Sequence, residues 1–122
     1  MESEIYHQIN VIDCECSINS IDYDATDLKI MLDRFDNRGM ITIRFRNVFA
    51  YRVTQEHFRI AEIMDGLTSQ PLYEVRNSEY LKEVMATGMR MLYGSSLNVK
   101  HYAVKTTEHI VDILTSETYI IE

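Results

Sequence analysis

The sequence predicts an α+β fold, an antiparallel sheet of about six or seven strands with one main helix packed on one face. Three observations lead there. Apolar and polar residues alternate with period two in several runs separated by turn residues. One segment near residue 80 switches to helical spacing between good capping residues. A chain of 122 residues, 46% hydrophobic and 25% charged, has the size and composition of a single domain with one core, so residues 1–122 are read as one unit needing no disulfide scaffold.

The strands follow in order. "IYHQINVID", Ile5 to Asp13, alternates loosely and reads as a first strand, and Ser17 to Tyr23 as a second. The next signal is the sharpest. Leu28, Ile30 and Leu32 alternate with Lys29, Met31 and Asp33; Ile41, Ile43 and Phe45 alternate with Thr42, Arg44 and Arg46; "RFDNRG" between them supplies Asp, Asn and Gly for a turn. This pair reads as an antiparallel hairpin. Phe49, Tyr51 and Val53 then suggest a fifth strand or an extended continuation beyond a bend. "LYEV", Leu72 to Val75, reads as a short edge strand after Pro71. "VKHYAVKT" and "EHIVDILT", separated by the turn around "TTE", read as a C-terminal hairpin.

The helix is placed at Ser78 to Tyr93. Asn77 and Ser78 are N-cap types, Glu79 and Glu83 put negative charge where the helix dipole favours it, and Gly94 stands at the expected stop. Leu81, Val84, Met85, Gly88 and Leu92 fall on one face, so that face is expected against the sheet, and Met85, Met89 and Met91 are read as core filler.

Charge is unevenly spread. Met1 to Leu28 holds seven acids (Glu2, Glu4, Asp13, Glu15, Asp22, Asp24, Asp27) and no Lys or Arg, whereas the remaining residues hold 12 acids and 12 bases, so the whole net charge of −7 lies in the first quarter. Such a surface repels nucleic-acid phosphates and attracts cationic proteins. Tyr6 and Tyr23 lie in the same quarter, and tyrosine gives large contact area at low entropic cost. Glu15, Asp22, Asp24 and Tyr23 are the candidate partner-binding residues; the plainer reading is acids for solubility and tyrosines for sheet packing.

Two cysteines, Cys14 and Cys16, are spaced C-x-C, which in a strand does not give disulfide geometry and fits reduced thiols. His7 would be a third metal ligand, yet no second Cys or His pair has zinc spacing, so no metal or other cofactor is expected. There is no apolar run of membrane-spanning length, and "MESEIYHQIN" has neither the basic start nor the apolar core of a signal peptide, which together predict a cytoplasmic protein with no membrane partner.

Two side-chain groupings invite a chemical reading. His101 and His109, with Tyr102 and Glu108, would suit metal-free acid–base work if the two imidazoles met across the C-terminal hairpin; a strand histidine is more commonly a satisfied structural residue. Arg52, Glu56, His57 and Arg59 beside Tyr51 would form an anion pocket if they converged, or Arg52 and Glu56 an ion pair bracing the bend. No glycine-rich phosphate loop, G-x-S-x-G elbow or P-loop is present.

The segments "ITIRFRNVFAYRVTQEHFR", "NSEYLKEV" and "KHYAVKTTEHIVDIL" resemble small bacterial α+β proteins found as immunity proteins beside contact-dependent inhibition or polymorphic toxins. That resemblance implies a cognate toxin domain as partner, a basic nuclease being one such toxin, and neutralisation by occlusion. It carries over no interface residues. The expected function is therefore a cytoplasmic inhibitor of a toxin, not an enzyme, with a metal-free enzyme using His101 and His109, or a homodimeric or larger structural assembly, as the competing readings.

Overall fold

The structure is a computed structural model that describes residues 4–55, 70–86 and 98–122. Among the described residues nine strands form two antiparallel sheets: β1 (Ile5–Gln8), β2 (Cys16–Tyr23), β3 (Leu28–Arg34), β4 (Met40–Phe45), β5 (Val48–Gln55), β6 (Leu72–Arg76), β7 (Lys100–Lys105), β8 (His109–Thr115) and β9 (Tyr119–Ile121). The first sheet runs β1-β6-β7-β8-β5, the second β2-β3-β4-β9. Among the described residues there is one short helix, α1 (Glu79–Val84).

The α+β expectation of one sheet under a main helix is thus corrected: the protein is mostly β, and its apolar sheet faces cover each other. Leu28, Ile30, Leu32, Ile41, Ile43 and Phe45 from one sheet form a single buried cluster with Val48, Leu72, Tyr102, Val104, Val111 and Ile113 from the other. Alternation shows that a strand has one buried face; it does not show whether a helix or a second sheet does the burying. Phe45 meets Tyr102 with ring centroids 5.6 Å apart, and Tyr102 meets Tyr119 edge-on at 5.7 Å, so aromatic contacts tie β4 and β9 to β7.

Both predicted hairpins form. Asp33 pairs with Met40 and Leu28 with Phe45 across the "RFDNRG" turn, where Asn37 and Gly39 take the positive φ that the turn requires. Lys105 pairs with Ile110 across the second. Other expectations change. The first strand stops at Gln8; Ile9 N–H still donates to the Leu72 carbonyl, Val11 N–H turns back to that of Ile9, and Ile12 drops into the core. β6 is interior, not an edge, because β1 covers its far side. β9 follows β8 after only three residues and was not anticipated. The helix starts where expected, with Ser78 Oγ accepting the Leu81 N–H at 2.9 Å, but its buried residue is Tyr80, while Leu81, Val84 and Met85 are half-buried. Its expected continuation to Tyr93, with Gly88, Met89, Met91 and Leu92, lies outside the described residues, as do Glu56, His57 and Arg59.

Two β-bulges set which side chains face where. Ile18 and Ile21 are three apart, a spacing that would put them on opposite faces of a regular strand; a register shift between Ile18 and Ser20 keeps both facing inward. Val48 and Tyr51 have the same spacing, and a shift between Val48 and Ala50 solves it in β5. Beyond that bulge Arg52 points to the outer face of the five-stranded sheet. Among the described residues no helix is long and apolar enough to cross a membrane.

One turn carries strain. Ala25, between β2 and β3, sits at φ 75°, in the left-handed region that costs a residue with a Cβ about 1–2 kcal/mol. Glycine removes that cost but adds chain entropy of about 0.5–1 kcal/mol. Ala25→Gly is therefore expected to raise unfolding stability by about 0.5–1 kcal/mol, measured as a higher urea midpoint with unchanged slope.

Candidate functional site

β2 is an edge strand, bonded to β3 on one side only among the described residues. The direction of its backbone groups follows from the bonds at its two ends. Glu15 C=O accepts from Phe35 N–H and Asp24 N–H donates to Asp27, both toward the β3 side, while Cys16 C=O turns the other way to accept from Thr107 N–H. Antiparallel pairing alternates, and the bulge shifts the alternation by one, so the N–H and C=O of Ile18, Ile21 and Tyr23 face the open edge.

The opposite sheet ends nearby in its own edge strand, β5. Tyr23 packs edge-on against Tyr51 at 5.1 Å, with its hydroxyl 3.4 Å from the Val48 carbonyl, and the β7–β8 turn reaches Cys16. Between these two clasps the sandwich stays open among the described residues. Ile18, Ile21 and Val53 line a groove of about 170 Å³, bordered by Ser17 and by Thr106, Thr107, Glu108 and His109 of the turn. Val53 is 45% exposed there.

The four predicted partner-binding residues lie on and around this edge but not as one patch. Glu15 precedes β2, whereas Asp22, Tyr23 and Asp24 lie at its far end, about 23 Å along the strand from Glu15 at roughly 3.3 Å per residue. Screening at physiological salt acts over about 8 Å, so Asp22 and Asp24 act together and Glu15 acts apart. Asp22 stands opposite Lys29 on the outer face, which offsets part of its charge. Asp24 also builds the turn: its Oδ1 accepts from Asp27 N–H at 2.7 Å and Thr26 N–H at 3.0 Å, and those bonds hold its carboxyl below the usual range. Tyr23 is 39% exposed.

Much of the acid excess in the first quarter proves structural. Glu4 accepts from the Glu79 N–H at the start of α1, Asp27 from the Asn47 N–H, and Asp13 pairs with Arg34 at 3.5 Å. Arg34 is also held by Asp36, whose carboxyl is thereby pushed far down. Cys14 and Cys16 are free thiols; burial raises the Cys16 thiol to about 12, leaving it protonated and inert at neutral pH. His7 lies in the other sheet, opposite Glu74, and no group of three His, Cys, Asp or Glu suited to a metal occurs among the described residues.

The two histidines do not meet. His101 pairs with Leu114 and faces the outer side of the five-stranded sheet; His109 pairs with Gln55 and borders the groove. His101 instead joins residues that the sequence reading did not associate with it. Its Nδ1 lies 2.6 Å from Ser78 Oγ and its Nε2 2.7 Å from Asp112 Oδ1, while Arg52 Nε donates to Asp112 Oδ2 at 3.0 Å and stacks over Tyr80 at 4.3 Å. Arg52 thus braces Asp112. The missed signal was Asp112 inside the apolar run "IVDILT": a buried acid must have partners, and the hairpin register brings it diagonally beside His101.

These are the residue types of a serine hydrolase relay with the two ring nitrogens exchanged, since Nε2 faces the Asp112 carboxylate and Nδ1 the Ser78 hydroxyl. The environment makes it a brace. Ser78, His101 and Asp112 are 5%, 1% and 0% exposed, and Ser78 Oγ also accepts the Leu81 N–H in capping α1. The chain matches no protein-family model, no curated protein and no solved structure.

Removing one member of a buried hydrogen-bonded pair leaves the other with a bond unmade. His101→Ala is expected to cost about 3 kcal/mol or more in urea unfolding. Asp24 gives a pH test. Its folded pKa is depressed from the ordinary 3.8, so its contribution is present above that value and disappears as pH falls through the lower folded one. Asp24→Asn is expected to flatten that part of the stability curve on acid titration, with neutral-pH stability falling only slightly because Asn preserves the turn's acceptor.

Proposed function

We propose that the protein is an immunity-type inhibitor that binds and neutralises a basic toxin domain, a nuclease being one candidate, in the cytoplasm. The observation that carries this reading is the position of β2: the strand flanked by Glu15 and Asp24, and bearing Asp22, is among the described residues an open sheet edge beside a solvent-accessible groove. A strand edge offers main-chain bonding and a groove offers side-chain burial, which are the two elements of peptide and loop recognition. The acids supply capture speed, since opposite charge steers encounter. The separation of His101 from His109 and the burial of the Ser78 relay favour binding over catalysis.

A Glu15→Gln, Asp22→Asn, Asp24→Asn triple variant tests the electrostatic part. In pull-downs from the native cell at low and moderate salt, the unmodified chain is expected to retain one stoichiometric basic partner, and the variant to retain at least about tenfold less at low salt, with weaker salt dependence. A partner held equally by both proteins contradicts the acidic interface. A single homodimer seen by gel filtration, with no other partner, contradicts the inhibitor reading.

A further inference from the structure

The edge and the groove belong to one docking device, and their chemistry narrows what enters it. We propose that an extended segment of a cationic protein, with basic and apolar residues alternating, adds as a strand to β2. This deepens the inhibitor reading and rests on it.

Three features converge. First, the N–H and C=O groups of Ile18 and Ile21 face the open edge, so a strand lying there finds main-chain partners without disturbing the bonds from β2 to β3. Second, the side chains of the same residues point inward, to the groove that Val53 shares. A strand added beside β2 sends alternate side chains to that side, where apolar residues extend the inter-sheet core over Ile18, Ile21 and Val53. Third, the intervening side chains emerge on the outer face beside Ser20 and Asp22, with Asp24 beyond one end, Glu15 beyond the other and Glu108 on the groove's border. Basic residues fit there and acidic ones are repelled. The bulge near Asn19 and the flanking acids also match the devices that keep an edge from pairing with copies of itself, so a second copy, equally acidic, is a poor occupant and a cationic one is favoured.

The test uses the full chain and a displayed library of random twelve-residue peptides, with binding remeasured on three variants. Ile21→Pro deletes an edge donor that makes no bond to β3; Val53→Arg fills the groove with a charge; the third is the charge-neutralised triple variant. The expected result is enrichment of peptides alternating basic and apolar residues. Their affinity should fall at least about tenfold with Ile21→Pro and with Val53→Arg, and their binding should slow amide exchange at Ile18 and Ile21. Val53→Arg and the exchange measurement keep the test decisive if Ile21→Pro does not fold. Basic peptides without alternation, lost only with the triple variant, overturn strand addition while leaving charge-driven inhibition standing. Peptides indifferent to all three variants, or no enrichment at all, also overturn strand addition, and the inhibitor reading then stands or falls on its own pull-down.

Discussion

The constraint on which the structure depends is that two apolar sheet faces must cover each other while their strands carry imperfect alternation. Neither sheet has an adequate core alone: the β3–β4 hairpin exposes Leu28, Ile30, Leu32, Ile41, Ile43 and Phe45 unless Tyr102, Val104, Val111 and Ile113 close over them. Each fully buried side chain of this kind contributes about 1.5–3 kcal/mol relative to exposure, far more than any surface ion pair. Packing therefore dictates the register, and where the sequence breaks period two the backbone yields with a bulge. The bulge in β5 turns Arg52 outward to Asp112, and that in β2 brings Ile18 and Ile21 together on the groove side.

The same packing explains how polar groups are tolerated. The five-stranded sheet is buried on both faces along β7 and β8, so His101, Asp112 and Thr115 have no water to bond. Each finds a protein partner: Ser78 and Asp112 for His101, Arg52 and His101 for Asp112, and the Arg46 carbonyl for Thr115. Through Ser78 this network also fixes the first turn of α1 against the sheet. Its catalytic look follows from residue types that satisfy one another well in a buried place.

Legibility in the sequence followed locality. The β3–β4 and β7–β8 hairpins were readable because alternation and turn residues lie within a few positions of each other, and the Ser78 cap because capping is a three-residue interaction. The partition into two sheets was not, since strands that pair with β5 and β6 are distant in sequence and alternation does not name the covering layer. The bulges concealed that Ile18 shares a face with Ile21 and Val48 with Tyr51. Of the candidate site, the chemistry of Glu15, Asp22, Tyr23 and Asp24 was visible, but not that β2 is an edge or that Asp24 spends its carboxylate on a turn. The joining of His101 to Asp112 needed a register that the hairpin alone almost supplied.

Docking at β2 depends on the strand keeping an open bonding edge in the free protein. Residue-resolved amide hydrogen exchange measures this directly. Ile18 and Ile21 are expected to exchange at rates close to those of exposed amides while Ser17 and Asp22, bonded toward β3, are strongly protected. Equal strong protection across Ser17 to Asp22 would mean that the edge is already covered and would contradict docking of a partner strand there.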